Sequence, residues 1–386
     1  CGPSDGNVYV GAGGNDELEG GDGDDIYVFN SGDGQDVIWD EATDYAPNSL
    51  RLGNGISADD VRLEIGRFDE FGCGDVGLRV NFGSEGDGVT FFGVNIDDLA
   101  GSHPVEYFRF ADGRVLDWDQ LIDRGQTISV WDSDDIPQGT RHDDTYVSMN
   151  YGGVMAGGAG SDRYQVGDSD AACGEVTIVD DAGTGDGNLL HLTGGSEFDD
   201  LELEWDGHWR IHGDESTIDL YTDGAWESEE SSVFDRTVAG FEFDDGSTAS
   251  FDDLLARGVY ISNDMRTDDG IIAGTPWRDF IFGSEDADTI VAGTGGGVVL
   301  GSDGDDTYVY ARGDGALTIY VSAGEEGTDN TLRFTGDIAP WEMQRALRFT
   351  APSDDTPVGE FIIRLGDLGD EIRISGFDPL DPTNGP

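Results

Sequence analysis

Aspartates recur at the sixth position of a nine-residue pattern, and their spacing is the feature of this sequence that most suggests chemistry. Asp144 and Asp162 occupy this position eighteen residues apart, and Asp288 and Asp306 repeat the arrangement. If two nonapeptides form one coil, these carboxylates lie one strand spacing apart and repel each other unless a cation lies between them. Calcium takes oxygen ligands and suits such a pair. The sequence therefore predicts calcium sites between alternate repeats.

The first repeats of the chain carry a weaker version of the same arrangement. Asn7 and Asp25 match with an amide in place of one carboxylate, whereas Asp16 has only Gly34 opposite it and Asp279 only Gly297. We expect the Asp16 and Asp279 sites to be incomplete, or closed by water or other carbonyls. About one strong ion per module is therefore expected. The predicted metal ligands are Asn7, Asp16, Asp25, Asp144, Asp162, Asp279, Asp288 and Asp306.

The nonapeptides run in strict phase at three places in the chain, which lie at 2–28, 139–165 and 274–309. Glycines supply the positive φ angles of tight turns. The eighth position carries a large apolar residue that points into a thin core, namely Leu18, Tyr27, Tyr164, Ile281, Ile290 and Tyr308. The pattern resembles the RTX, or haemolysin-type, calcium-binding repeat. That resemblance implies a parallel β-roll in which each nonapeptide gives one turn and one strand.

Each set of repeats is followed by a similar stretch of sequence. This organisation predicts an all-β chain of three tandem modules at 1–128, 129–262 and 263–386. In each module a short parallel β-roll precedes an antiparallel, sandwich-like segment, similar to haemolysin-type calcium-binding protein-related domains. The first two modules close with a β-hairpin at 108–118 and 241–251, built around an Asp-Gly turn. The third matches through 371–377 and lacks this hairpin. Either the natural chain ends early, or a partner strand completes the sheet.

The net charge of −62 limits the classes of partner. So many carboxylates disfavour a compact state unless divalent cations or high salt neutralise them. No basic stripe is present to meet phosphates, so nucleic acid is excluded as a partner. No apolar run approaches the roughly 20 residues that a membrane span needs. Calcium, other cell-surface proteins, further copies of the chain and polysaccharide remain as partners.

The three cysteines form an odd set, Cys1, Cys73 and Cys173. Cys73 and Cys173 can pair in a disulfide. Cys1, followed by a polar stretch, resembles the mature N-terminus of a bacterial lipoprotein, which implies a lipid anchor; a fragment boundary or a free thiol are the other interpretations. These features place the protein outside the cell, at the bacterial outer surface.

Catalytic constellations are weak in this sequence. His208 and His212 are four residues apart, a spacing that does not converge on a metal from a strand. No Gly-x-Ser-x-Gly motif has a convincing strand-turn-helix context, so we expect no enzyme. An aromatic cluster in the middle module either stacks on sugar rings or packs in the core, with core packing favoured. Its members are Trp205, Trp209, Tyr221 and Trp226.

Three functions follow from these observations. The first is a calcium-rigidified structural protein of a cell-surface coat (an S-layer), filament or adhesin. The second is a polysaccharide-binding module of a carbohydrate-active or adhesive system. The third is an enzyme of unknown class, for which the sequence shows no catalytic group.

Overall fold

The computed structural model describes most of the chain, in segments with gaps between them. The described residues are 6–40, 47–68, 75–83, 86–95, 103–130, 138–148, 152–167, 175–180, 187–213, 216–222, 236–267, 270–321, 329–336, 338–350, 358–366 and 369–377. Strands dominate these segments, with parallel sheets and antiparallel extensions, so the predicted all-β class is confirmed. None of the helices within these ranges is long and apolar enough to span a membrane.

The first part of the chain forms short strands joined by glycine-rich turns. They are β1 (Val8–Val10), β2 (Glu17–Glu19), β3 (Ile26–Phe29), β4 (Gln35–Trp39), β5 (Ser49–Leu52), β6 (Val61–Phe68), β7 (Asp75–Phe82), β8 (Gly88–Phe92), β9 (Tyr107–Phe110), β10 (Val115–Asp117) and β11 (Gln126–Val130). Helix α1 (Trp118–Ile122) follows β10 and begins at Asp117, whose side chain accepts a hydrogen bond from the backbone N–H of Gln120.

The middle part repeats this order with shorter antiparallel strands. It comprises β12 (Thr145–Ser148), β13 (Gly153–Ala156), β14 (Arg163–Val166), β15 (Glu175–Asp180), β16 (Leu189–Leu192), β17 (Glu202–Trp205), β18 (Trp209–His212), β19 (Thr217–Thr222), β20 (Gly240–Phe243), β21 (Thr248–Ser250), helix α2 (Phe251–Arg257) and β22 (Val259–Ile261). Ser250 caps α2 as Asp117 caps α1, so both helices begin directly after a hairpin strand.

The last part carries the longest run of nonapeptide strands. It comprises β23 (Ile271–Ala273), β24 (Asp279–Phe282), β25 (Thr289–Val291), β26 (Gly297–Leu300), β27 (Thr307–Ala311), β28 (Ala316–Tyr320), β29 (Thr331–Thr335), β30 (Met343–Thr350), β31 (Val358–Leu365) and β32 (Asp370–Phe377).

Alternate nonapeptide strands pair in parallel, which is the defining feature of the predicted roll. Thr145 on β12 pairs with Arg163 on β14, and Thr289 on β25 pairs with Thr307 on β27. Both pairs are eighteen residues apart, because two nonapeptides complete one coil. The parallel β-roll expected from the repeat pattern is therefore confirmed.

The backbone contacts divide the chain into two compact units. The first contains residues 1–196, 215–227 and 236–248, and the second contains 197–214, 228–235 and 249–386. Within the first, the sheet orders are β1-β3-β5-β9-β10, β2-β4-β8-β7-β6-β11-β12-β14-β16-β20 and β13-β15-β19. Within the second, they are β18-β17-β22-β24-β26-β28-β32-β31-β30 and β23-β25-β27-β29. The three-module boundaries stay a prediction.

The eighth-position residues form the thin core of each roll. Tyr27, Tyr164, Ile281, Ile290 and Tyr308 are buried, as the period predicted. Leu18 is only half-buried, since β2 is the outer strand of its sheet. In the first unit the rings of Tyr146 and Tyr164 stack with centroids 5.5 Å apart, so consecutive coils are joined by aromatic contact as well as by backbone hydrogen bonds.

The closing hairpins also have the predicted geometry. Strands β9 and β10 are antiparallel, and the N–H of Gly113 donates to the carbonyl of Phe110 across the Asp-Gly turn. In the second hairpin the N–H of Phe243 donates to the carbonyl of Ser247. The chain continues from each hairpin directly into a helix.

Candidate metal centre

A ladder of buried aspartates follows one edge of each roll, where the turns enter the strands. The N–H of Asp144 donates to Oδ1 of Asp162 at 2.7 Å, and the N–H of Asp288 donates to Oδ1 of Asp306 at 3.1 Å. All four side chains are buried. The eighteen-residue spacing therefore does bring these residues together on neighbouring coils.

The two carboxylates of a pair point in the same direction along the ladder. Asp162 turns back to the backbone of Asp144, while Oδ1 of Asp144 accepts the N–H of Gln126 one coil earlier, at 2.8 Å. At the start of the chain, Asn7 donates its N–H to Oδ1 of Asp25 at 2.8 Å. A backbone amide therefore donates a hydrogen bond to one oxygen of each of these three carboxylates, and only the second oxygen is available for other partners.

In two nonapeptides the residue at the second position donates to that second oxygen. Thr140 donates its hydroxyl to Oδ2 of Asp144 at 2.9 Å, and Ser284 does the same for Asp288 at 2.9 Å. These turns therefore satisfy Oδ2 of their own carboxylates, while Oδ1 of Asp288 is buried without a hydrogen bond and lies 3.0 Å from Nε of Arg266. Where the second position is glycine, as at Gly21 and Gly158, the turn offers no hydroxyl.

Asp25 and Asp162 follow those glycines, and their Oδ2 atoms are buried with no hydrogen-bond partner. An ionised carboxylate in such a position carries a large desolvation cost. Burial accordingly raises the pKa of Asp162 to about 8, and the nearby charges of Asp180 and Asp144 raise it further against the hydrogen bond from Asp144. A cation at this oxygen would remove the cost.

The first glycine of each repeat makes room for this edge. A Cβ at Gly157 would lie 2.5 Å from Oδ2 of Asp162 and 2.5 Å from Oδ2 of Asp180, and would also collide with the hydroxyl of Tyr164. The two carboxylates thus border one small space, and the tyrosine hydroxyl donates to Asp180. Asp40 and Tyr27 repeat this contact in the first roll.

Replacing Gly157 with alanine is expected to destabilise the first unit by about 1–3 kcal/mol, since the new methyl group overpacks this space. The matched control is Gly187→Ala, where the nearest atom to an added Cβ is Oγ of Ser161 at 3.5 Å. Urea unfolding followed by tryptophan fluorescence measures both variants. Equal midpoints for the two would contradict the proposed crowding at Gly157.

The residue opposite Asp16 differs from the sequence prediction. Glu17 pairs with Val37, an offset of twenty residues, because the step from Asp25 to Asp36 is eleven residues and not nine. Asp36 rather than Gly34 therefore lies opposite, and its Oδ1 accepts the N–H of Asp16 at 3.0 Å. Burial, together with the neighbouring acidic charges, raises the pKa of Asp36 to about 6. The expectation of a glycine opposite Asp16 was wrong.

Both carboxylate oxygens of Asp279 accept hydrogen bonds from a residue of its own turn. Gly297 lies opposite it as expected, and the hydroxyl of Thr275 donates to Oδ1 of Asp279 at 2.6 Å while the Thr275 N–H donates to Oδ2 at 2.8 Å. Burial raises the pKa of Asp279 to about 7 even so. This turn therefore offers little to a cation.

Asparagine ends each ladder, a role that the sequence did not reveal. Oδ1 of Asn48 accepts the N–H of Asp25 at 2.8 Å, Asn188 does the same for Asp162 at 2.8 Å, and Asn330 for Asp306 at 2.8 Å. The amide continues the hydrogen-bond pattern without adding charge. The signal was present in the Asn-x-Leu motif that precedes or begins each of these strands, which we interpreted only as part of a strand.

The aspartates in these turns provide part of the ligand set that a hard cation such as calcium requires. The buried oxygens of Asp25 and Asp162, beside Asp40 and Asp180, are the donor type that calcium prefers. Within the described residues, however, no three His, Cys, Asp or Glu side chains gather into a metal-binding group. Backbone carbonyls, asparagine or water would have to supply the remaining ligands. The predicted metal role of the eight residues stays a prediction.

The other candidate groups take structural positions. His208 lies 2.9 Å from Asp206, and His212 lies 2.7 Å from Glu204, so the two histidines contact different carboxylates. Trp205 and Trp209 are buried, which confirms the core-packing interpretation for both. Tyr221 is half-buried on β19. Trp226, Cys1, Cys73 and Cys173 lie outside the described residues, so the sugar platform is not assembled from the described members, and the anchor and disulfide stay predictions.

Comparisons with known proteins add little to this description of the candidate site. No family model matches the chain, and no curated protein matches it. Among solved structures, the chain is similar to extracellular lipase LipA from Serratia marcescens, with 13% identity, a TM-score of 0.23 and coverage of 67% of this chain. The chain spans 39% of the length of that structure. A likeness at this level carries no argument about activity or partners.

One sequence-based expectation is withdrawn. We expected the chain not to be an enzyme, and the solved structure to which it is similar is that of a lipase. The expectation rested on missing motifs in a glycine-aspartate repeat protein, and such motifs are recognised by geometry rather than by sequence position. The exclusion of catalysis therefore does not stand.

Proposed function

We propose that this chain is an extracellular, calcium-dependent structural protein of a bacterial surface coat, filament or adhesin. The observation that carries this proposal is the pair of buried, unpartnered Oδ2 atoms of Asp25 and Asp162, each in a turn whose second residue is glycine. Calcium at these oxygens would neutralise charge that otherwise opposes closure of the rolls. Extracellular calcium-binding modules work at Kd values of about 0.1–1 mM.

The arrangement of the chain supports a structural role. Successive coils of parallel strands stack on one another, and each coil contributes only a thin layer of core. The rigidity of a roll therefore depends on the interactions of the buried carboxylates in its turns. A net charge of −62 keeps such a chain soluble and open without cations. Ion binding at a few buried turns would then convert an acidic, repetitive chain into stiff, folded rolls.

The experiment is calcium titration by isothermal calorimetry of the chain after chelation and dialysis. Asp25→Asn and Asp162→Asn are each expected to remove about one binding event, because an amide lowers the charge that holds the ion. The matched control is Asp279→Asn, which changes the same repeat position in a turn closed by Thr275 and is expected to keep the full stoichiometry. Unchanged stoichiometry in both test variants would refute the proposed sites.

A further inference from the structure

Asp288 differs from its counterpart Asp144 in what its Oδ1 atom contacts. In the roll at 139–165, Oδ1 of Asp144 accepts the N–H of Gln126, which lies eighteen residues earlier in the chain. The residue opposite Asp288 on the preceding coil is Gly270, whose N–H donates to the carbonyl of Thr267 at 2.8 Å, within its own turn. The amide that would correspond to Gln126 is therefore engaged elsewhere, and Oδ1 of Asp288 is buried without a hydrogen bond.

The guanidinium of Arg266 lies against this oxygen and against the rest of the turn at 284–288. Its Nε is 3.0 Å from Oδ1 of Asp288. Its Nη2 donates to the carbonyl of Ala287 at 3.0 Å, and its Nη1 donates to Oγ of Ser284 at 3.3 Å. Nη1 is also 3.6 Å from Oδ2 of the exposed Asp286. One positive group therefore faces four oxygen atoms of a single turn.

This position of Arg266 is one that a calcium ion would otherwise need. Carboxylate and carbonyl oxygens are the ligands that calcium prefers, at 2.3–2.6 Å. An ion bound to Oδ1 of Asp288 would collide with the guanidinium and be repelled by its charge, which an arginine does not lose in a protein. Gly270 leaves room for the group, since an added Cβ would lie 3.2 Å from Nη2 and 3.4 Å from Nε of Arg266.

We propose that Arg266 is a built-in cation that closes the Asp288 turn to calcium and neutralises its buried carboxylate without an ion. Asp25 and Asp162 differ, because each keeps an Oδ2 atom that is buried without a hydrogen bond. Arg266 thus determines which acidic turns of the chain take calcium. The inference rests on the proposed function, since it concerns the distribution of ions in a calcium-dependent protein.

The test is removal of the guanidinium, followed by calcium titration by isothermal calorimetry after chelation and by thermal melts. Arg266→Ala is expected to bind one more calcium ion than the unmodified chain. In EDTA its melting midpoint is expected to fall by roughly 4–10 °C, because a buried carboxylate loses its only ionic partner within the described turn. Calcium at 5 mM is expected to restore most of that loss.

The matched control is Arg364→Ala, which removes the same charge from the same unit. Arg364 pairs with Glu371 at 2.6 Å and is 52% exposed, and Glu371 also pairs with Arg373. The carboxylate therefore keeps a partner in the variant. We expect an unchanged number of bound ions and a midpoint shift below about 2 °C, since exposed ion pairs contribute little.

Two further variants show where the additional ion binds. The double variant Arg266→Ala, Asp288→Asn is expected to gain no ion, because an amide replaces the carboxylate that would hold it. The single variant Asp288→Asn retains Arg266 and is expected to bind as many ions as the unmodified chain. This second measurement tests the proposal even if Arg266→Ala does not fold.

Three results would overturn the role of Arg266: equal calcium stoichiometry in Arg266→Ala and the unmodified chain, a gained ion in the double variant, or a lost ion in Asp288→Asn. The proposed function fails separately. If the unmodified chain binds no calcium while Arg266→Ala binds one ion, the role of Arg266 stands and the calcium sites at Asp25 and Asp162 are refuted.

Discussion

Chelation of calcium is expected to lower the melting midpoint by roughly 5–20 °C and to remove most of the far-ultraviolet β signal. An ion present at about 5–50 times its Kd, as in 5 mM calcium, stabilises the folded state by about 1–2.3 kcal/mol. Ions at Asp25 and Asp162 would together contribute about twice that value, and 1 kcal/mol shifts the midpoint of a domain of 150–250 residues by about 2–4 °C. Circular dichroism in EDTA and in 5 mM CaCl2 measures the change.

General screening of the acidic surface would also stabilise the chain, so the salt controls decide the interpretation. NaCl at matched ionic strength screens exposed charges, and MgCl2 tests the preference for the larger, more flexibly coordinated ion. We expect neither to restore more than a small part of the loss. Full recovery in NaCl would show that charge repulsion, not ion binding at Asp25 and Asp162, controls folding.

In EDTA the stability of the first unit is expected to fall as the pH rises from about 5 to 8.5. The pKa of Asp162 is raised by burial to about 8, whereas an unfolded aspartate titrates near 3.9. The folded state therefore binds more protons than the unfolded state between these values, and stability decreases with pH throughout that window. Each unit of raised pKa corresponds to about 1.4 kcal/mol. Thermal melts at half-unit pH steps measure the slope.

Calcium is expected to reverse this behaviour, because the ion and the proton compete for the same carboxylate. The difference in midpoint between CaCl2 and EDTA should be small at pH 5 and largest near pH 8.5. Asp162→Asn removes the titrating group, so its melts in EDTA should be flatter between pH 6 and 8 than those of the unmodified chain. An unchanged slope in Asp162→Asn would contradict the assignment.

The corrected partner of Asp16 shows that the nine-residue period alone does not always predict which residues lie opposite each other on neighbouring coils. The nonapeptide phase predicts that any sixth-position aspartate faces the residue eighteen positions later, and this holds for Asp144 and Asp288. An eleven-residue step from Asp25 to Asp36 changes the offset between β2 and β4 to twenty residues. The pairing partner then becomes Asp36, because register depends on the length of the connection as well as on the repeat.

The sequence alone determined the parallel roll, its eighteen-residue coil and the buried eighth-position residues, because a strict period sets both strand spacing and side-chain direction. It also determined which turns contain a hydroxyl at Thr140 and Ser284 and which contain glycine. Only the tertiary structure decided that Asn48 and Asn188 end the carboxylate ladders and that Oδ2 of Asp162 is left without a hydrogen bond. These features depend on contacts between residues far apart in the chain, which local patterns do not specify.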